Sequence, residues 1–319
     1  MKRFLAVAIV ATVGLFYSGT SYGAATNVGG EATAADGIEV VDITSYAVGT
    51  TANGVAGSRH NLGALARHVT TRDNSGNQLG TTQICVFCHT PHHSNTNAKP
   101  LWNRDLSNSA TYNGYGSTIA GTTVTAPAAG SASLACLSCH DGVTTFDSLV
   151  NAPGKDLGMP GTSWTFFDEG SPISGNVATF SARINIGTEL NNDHPINVAY
   201  SENKASLRPK STVIGDIDLT LGLSNTTAYY NWVTENKWAV SGFISSTASI
   251  SDILRSDNTN SGLVECSSCH DPHFSNGSYP EYTRDSDNTF TGMNVADGVF
   301  LRRVGGNMGS GVCRTCHNK

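Results

Sequence analysis

The sequence predicts a low-regularity fold, mostly coil with short helices and a few strands, whose interior is organised by bound groups rather than by layered secondary structure. Three observations predict it. Only 39 % of the 319 residues are hydrophobic and 14 % are charged, so a conventional core is short of material and the surface is rich in small polar residues. The 34 glycines and 10 prolines interrupt most runs of helix or strand length. The 8 cysteines stand in four words of one form, CVFCH, CLSCH, CSSCH and CRTCH, at Cys85/Cys88, Cys136/Cys139, Cys266/Cys269 and Cys313/Cys316.

Residues 1–25 read as a secretory signal. Lys2 and Arg3 give the positive start, residues 4–17 form an apolar run too short to span a bilayer comfortably, and Gly23, Ala24 and Ala25 offer a cleavage site. No later segment is long and apolar enough to cross a membrane. Removing Lys2 and Arg3 takes the formal charge from −6 to −8 (−6 − 2), an acidity that argues against nucleic acid as a partner. Export to the extracellular space or outer cell surface is expected, with the periplasm as the alternative.

C-x-x-C-H is the attachment signature of c-type haem. Residues three apart on a helical turn share a face, so two thiols reach the two vinyl groups of one porphyrin, and the following histidine lies under the iron. Disulfides and zinc ribbons also use paired cysteines, but neither needs a histidine after every second cysteine. The expectation is four covalent haems with His89, His140, His270 and His317 as proximal ligands. Apolar residues in and before the motifs (Ile84, Val86, Phe87, Leu134, Leu137, Leu263, Val264, Val312) are placed to pack on them.

The motifs fall into two pairs. Cys85 and Cys136 are 51 apart (136 − 85), Cys266 and Cys313 are 47 apart (313 − 266), and 130 residues separate Cys136 from Cys266 (266 − 136). The first motif of each pair continues alike, CHTPHHSN and CHDPHFSN, and Arg104-Asp105 and Arg284-Asp285 follow at roughly matching offsets. This reads as two diverged two-haem units, residues 26–170 and 171–319.

Six histidines remain: His60, His68, His92, His93, His194 and His273. His89 and His92, at most about 5–6 Å apart on a helix, cannot clamp opposite faces of one porphyrin. Pro91 and Pro272 also turn the chain away. His92 and His273 therefore serve other haems than their neighbours do. His92 is favoured over His93, which aligns with Phe274. One upstream histidine per unit completes the set: His194 in the second, His60 in the first with His68 as its alternative. The expected distal ligands are His60, His92, His194 and His273. Met159, Met293 and Met308 show no ligand pattern and are read as packing or loop.

Elsewhere, residues 112–135 read as Gly/Thr/Ala-rich loop, and residues 163–255 carry alternating apolar patches, such as TVIGDIDL at 212–219, that suit a few strands. Tyr229, Tyr230, Trp232 and Trp238 suit a small satellite cluster.

HNL at His60, CVFCHTPHHSN, PLWNRD (100–105), SLACLSCHDG (133–142), NDHPI (192–196) and CSSCHDPHFSN resemble the doubled C-x-x-C-H multihaem cytochromes of metal-reducing bacteria. Four haems and this length look most like the OmcE-like tetrahaem cytochromes, which polymerise into extracellular nanowires. The resemblance implies bis-histidine irons, a homopolymer, and a distal ligand exchanged between subunits. His60 would be the donor, because its Gly-rich surroundings could reach outward. Bis-histidine iron is saturated, so the expected function is electron transfer with no catalytic residues, other redox proteins and extracellular electron acceptors being the partners. A soluble periplasmic shuttle is the alternative. A multihaem reductase would need an open iron position.

Overall fold

The computed structural model describes residues 55, 60–63, 69–72, 83–106, 111–119, 122–146, 148–151, 165–168, 171–173, 176, 184–202, 204, 206–219, 236–241, 243–273, 283–284, 290–291, 300–303 and 306–318. The expected signal segment, His68, Met159, Met293 and the aromatics Tyr229, Tyr230 and Trp232 lie outside them.

Regular elements are short. In chain order they are β1 (Val69–Arg72), β2 (Gly116–Ile119), β3 (Thr122–Val124), α1 (Ala132–His140), β4 (Thr165–Asp168), β5 (Ser171–Ile173), β6 (Val198–Ala199), β7 (Trp238–Val240), β8 (Phe243–Ser245), α2 (Ile250–Ile253), β9 (Arg255–Ser256), β10 (Ser261–Val264), α3 (Cys266–Cys269), β11 (Thr283–Arg284), β12 (Phe290–Thr291) and α4 (Gly311–Cys316). The strands make two three-stranded antiparallel sheets, β1-β4-β5 and β6-β10-β9, and three hairpins, β2-β3, β7-β8 and β11-β12. Every C-x-x-C-H word sits at a helical turn: a 3₁₀ turn at Ile84–Phe87, then α1, α3 and α4. Only α1 exceeds two turns. Ser131 caps it, its side chain accepting from the Ser133 N–H at 3.0 Å.

The apolar interior is divided among small clusters, and three of them lie against the motifs. Phe87 and Phe146 pack with Leu62, Val86, Leu149 and Cys88. Leu134 and Ala135 of α1 pack with Ala98, Trp102 and Tyr112. Trp238, Ile214, Ile250, Ile253 and Tyr200 pack with Val264, Val312 and Cys316.

The two halves repeat in backbone detail. In the first, the residues after the Cys85 motif pair antiparallel with a returning segment. His89 bridges Trp102, Thr90 N–H donates to Leu101 O, and Asn103 N–H donates to Cys88 O. In the second, His270 bridges Leu301, Asp271 N–H donates to Phe300 O, and Arg302 N–H donates to Cys269 O. Leu101 and Phe300 occupy the same place, and both have left-handed φ (47° and 62°), which side-chain-bearing residues seldom adopt. The counterpart of Arg104 is therefore Arg303. The sequence pairing of Arg104 with Arg284 does not hold, because the second half carries 18 more residues between its motif histidine and this arginine (303 − 270 = 33 against 104 − 89 = 15). Arg284 lies in the β11-β12 hairpin instead.

Two other segments differ from expectation. Residues 112–135 contain the β2-β3 hairpin and the first turn of α1. Residues 212–219 form a 3₁₀ turn rather than a strand, because Gly215 fits under Ser246, whose carbonyl accepts its N–H at 2.9 Å. Ile214, Ile217 and Leu219 are buried on this bent path. The division placed at 170/171 falls inside the β4-β5 pairing. Residues 186–197 hydrogen-bond to the first half at Asn113, Ala126 and His140, and β6 then pairs with β10 of the second.

Any side chain at Gly215 would collide with the Ser246 carbonyl, which is backbone and cannot swing aside. Gly215→Ala should cost about 1–3 kcal/mol, read as a lowered midpoint in a thermal melt, while Ala substitution at exposed Ser211 should leave the midpoint unchanged.

Candidate haem-binding site

None of the 8 cysteines forms a disulfide. Burial and neighbouring thiols raise Cys88 and Cys316 to about 12 and Cys269 to about 11. They are thiols rather than thiolates, the form in which S–H adds across a vinyl double bond. Among the described residues no three or more His, Cys, Asp or Glu side chains gather as a metal cluster would.

The motifs adjoin one another in chain order. Cys88 and Cys139 are electrostatic neighbours. Cys136 and Cys266 hydrogen-bond through their side chains. Cys269 neighbours Cys313 and Cys316. The central junction is closed by Glu265, which is buried. Its Oε2 accepts from the hydroxyls of Ser131 (2.8 Å) and Ser133 across the two halves, and Ser133 Oγ accepts the Cys266 N–H at 3.0 Å. Burial, only partly offset by the two serines, raises the pKa of Glu265.

Four of the histidines are oriented by their Nδ1 atoms. His89 Nδ1 lies 2.8 Å from Pro100 O, His140 Nδ1 2.7 Å from Ile184 O, and His194 Nδ1 3.1 Å from Pro195 O. A carbonyl oxygen can only accept, so each Nδ1 donates and Nε2 is the ring nitrogen left to meet a metal. His273 Nδ1 is held at 3.1 Å by Asp271 Oδ1, and Arg302 Nη1 fixes Asp271 Oδ2 at 2.9 Å. Burial opposes the ionisation of Asp271, but the His273 hydrogen bond and the Arg302 charge outweigh it and hold its pKa at about 2.

Two pairs of expected ligands meet. His89 and His273 have ring centres 6.0 Å apart with planes 13° from parallel. His60 and His140 have centres 6.2 Å apart at 69°. A metal–imidazole bond is about 2 Å and the ring centre lies about 1 Å behind the nitrogen, so imidazoles on opposite sides of one metal have centres about 6 Å apart. Both pairs have that separation. His60 stacks on Phe300 at 4.1 Å, inside the chain rather than reaching outward. Burial, then the neighbouring His140, lower its pKa to about 3 despite a hydrogen bond to the Pro272 carbonyl, so its ring stays neutral. His92, His93 and His194 are exposed, as is His270, while His317 is half-buried.

The surface around the proximal histidines is apolar. Leu101 (55 % exposed) follows Pro100, the acceptor for His89, and Ile184 and Ile186 both hydrogen-bond to His140 through their backbones. Paired thiols at helical turns, the imidazoles of His89 and His140 with Nε2 available, and apolar flanks fit a covalently attached porphyrin. The cysteines would hold its edge and the histidines its iron.

Residues to which the motif analysis gave no role in the site complete the surroundings. Arg104, fully buried, donates to Ser138 O (Nε, 3.0 Å), Phe146 O (Nη1, 3.0 Å) and Thr145 O (Nη2, 2.7 Å). Arg303, equally buried, packs against Gly311 of α4 and donates to Asn236 Oδ1 and Gly306 O. Asn103 and Arg302, equivalent in the repeat, each donate to the carbonyl of the residue between the motif cysteines, Val86 (2.6 Å) and Ser267 (2.7 Å). Compared with known proteins, the chain matches no family model and no curated protein.

His273→Ala should open one coordination position beside His89, seen as a high-spin ferric signal replacing one low-spin signal in the haem-loaded protein. The Asp271 link should weaken in acid. Its folded pKa lies below the ordinary value near 3.9, so its stabilisation is present above that value and lost as pH falls to about 2. The melting-temperature gap between wild type and Asp271→Asn should close across that window.

Proposed function

We propose that the chain is an exported tetrahaem c-type cytochrome that carries electrons through bis-histidine haems as the subunit of an extracellular conducting filament. The observation that carries the reading is the contiguity of the four attachment motifs, joined in chain order through Cys88–Cys139, Cys136–Cys266 and Cys269–Cys313/Cys316. Groups attached at adjoining motifs are near neighbours, so electrons pass along the chain in short steps.

When bound, each haem supplies a one-electron iron couple; the protein supplies attachment, ligands and exclusion of substrate. Histidines on both faces saturate the iron and leave it nothing to bind, which suits transfer rather than catalysis and favours a low potential. His89 with His273, and His140 with His60, are the pairs whose separations suit this role. His92 and His194 are the remaining distal candidates for His270 and His317. The partners are other redox proteins, extracellular acceptors and further copies of the chain.

Support for the polymer comes from the internal repeat. In the second half, Phe300 stacks on His60 of the first, Pro272 accepts its hydrogen bond, and His273 lies beside His89. The counterparts Leu101, Pro91 and His92 are exposed. A second copy added head to tail would cover Leu101 as the first half covers Phe300, and such an interface extends without closing.

Intact mass should exceed the polypeptide by four haems; fewer would overturn the cofactor count. Electron micrographs of purified protein should show filaments, and Leu101→Asp should shorten or abolish them while leaving four haems per chain. Discrete wild-type particles with four haems would favour the soluble shuttle.

A further inference from the structure

We infer that Arg104 sets the reduction potentials of the haem pair carried by Cys85/Cys88 and Cys136/Cys139, an inference that rests on the tetrahaem reading. Arg104 is fully buried and its guanidinium is satisfied by three backbone carbonyls, of Ser138, Thr145 and Phe146. Carbonyl dipoles solvate the charge without cancelling it. Among the described residues no carboxylate forms an ion pair with it, whereas Arg302 in the second half is neutralised by Asp271.

Its field falls on both attachment sites. Arg104 acts electrostatically on Cys88 of the first motif and on Cys139 and His140 of the second. The opposing charge in this region is Asp141, which is engaged by the Val143 and Thr144 N–H groups and by the hydroxyls of Thr144 and Tyr112. At Cys139 and at His140 the effect of Arg104 is larger than that of Asp141. Glu265, the buried carboxylate of the chain's middle, acts on Cys136 at the far end of the second motif and on Cys266 of the third, so the Arg104 field is opposed at Cys136 and least opposed around Cys88, Cys139 and His140.

A fixed cation in a water-poor site stabilises the state with one positive charge fewer. Arg104 thus favours the ferrous over the ferric form of this pair, each iron taking one electron from a redox partner, and raises their potentials. A guanidinium does not titrate in the accessible range, so the contribution is independent of pH.

The test is a spectroelectrochemical titration of haem-loaded protein at pH 6 and pH 8, with wild type, Arg104→Lys, Arg104→Gln and Arg104→Met. Gln and Met remove the charge and should shift two of the four transitions to lower potential, equally at both pH values. Lys keeps the charge while losing the fork of three hydrogen bonds, and should hold those two transitions near wild type. Equal shifts for Lys and Met would mean that Arg104 acts only through packing, and unchanged potentials in Met would remove the role altogether; either result overturns the inference. If the Arg104 variants do not load four haems, Asp141→Asn decides. It removes the opposing charge, so the same pair should move upward, and an unmoved pair overturns the inference. Haem count and low-spin signals in wild type test the tetrahaem reading separately.

Discussion

A buried guanidinium holding three carbonyls is the interaction on which the first half depends. Arg104 ends a run of four residues, each tied to a different part of the half. Leu101 pairs with Thr90, Trp102 donates its indole N–H to Ser138 Oγ, Asn103 bonds Val86 and Asn151, and Arg104 reaches Ser138, Thr145 and Phe146. The first motif, the second motif and the segment after it are thereby fixed to one short strand. The apolar clusters are too small to do this, since Phe87 and Phe146 are the buried pair on one side and Leu134 with Ala98 and Ala135 on the other. Charge-assisted bonds to carbonyls are stronger than neutral ones, and leaving those carbonyls unsatisfied would cost about 1–3 kcal/mol each.

The second half reuses the plan with other chemistry. Arg302 takes the place of Asn103, Arg303 that of Arg104, and Asn236 becomes the hub, bonded to Ile214 O, Thr315 Oγ1, Trp238 Nε1 and Arg303 Nε. The third strand of the arrangement comes from opposite directions. Leu149 bridges Arg104 and follows the second motif, while Trp238 bridges Arg303 and precedes the third. The halves are therefore alike in space but not in chain order, and Glu265 with its two serines binds them into one body.

The helical turns at the four C-x-x-C-H words were legible in the sequence because their spacing is local and no loop length disturbs it. The likeness of the segments after Cys88 and Cys269 was legible in the PHHSN and PHFSN continuations, whereas the boundary at 170/171 falls inside the β4-β5 pairing. What could not be read was everything set by long-range hydrogen bonds. Arg303 is in the right place only after a longer excursion, so a repeat search by offset settles on Arg284. The Ile214–Asp216 turn has a strand-like alternation, yet the close approach of Ser246 over Gly215 bends it. His60 sits in a Gly-rich stretch that suggests reach, but stacking on Phe300, some 240 residues later in the chain (300 − 60), draws it inward.

The repeat also has a direction. If each half covered the other reciprocally, Leu101 would be as buried as Phe300; it is 55 % exposed against 9 %. The covering runs one way, from the second half onto the first. Two unlike ends follow: one carries Pro91, His92 and Leu101, and the other carries the second half's motifs with nothing equivalent laid over them by this chain. An arrangement of that kind has polarity even though its building units are similar.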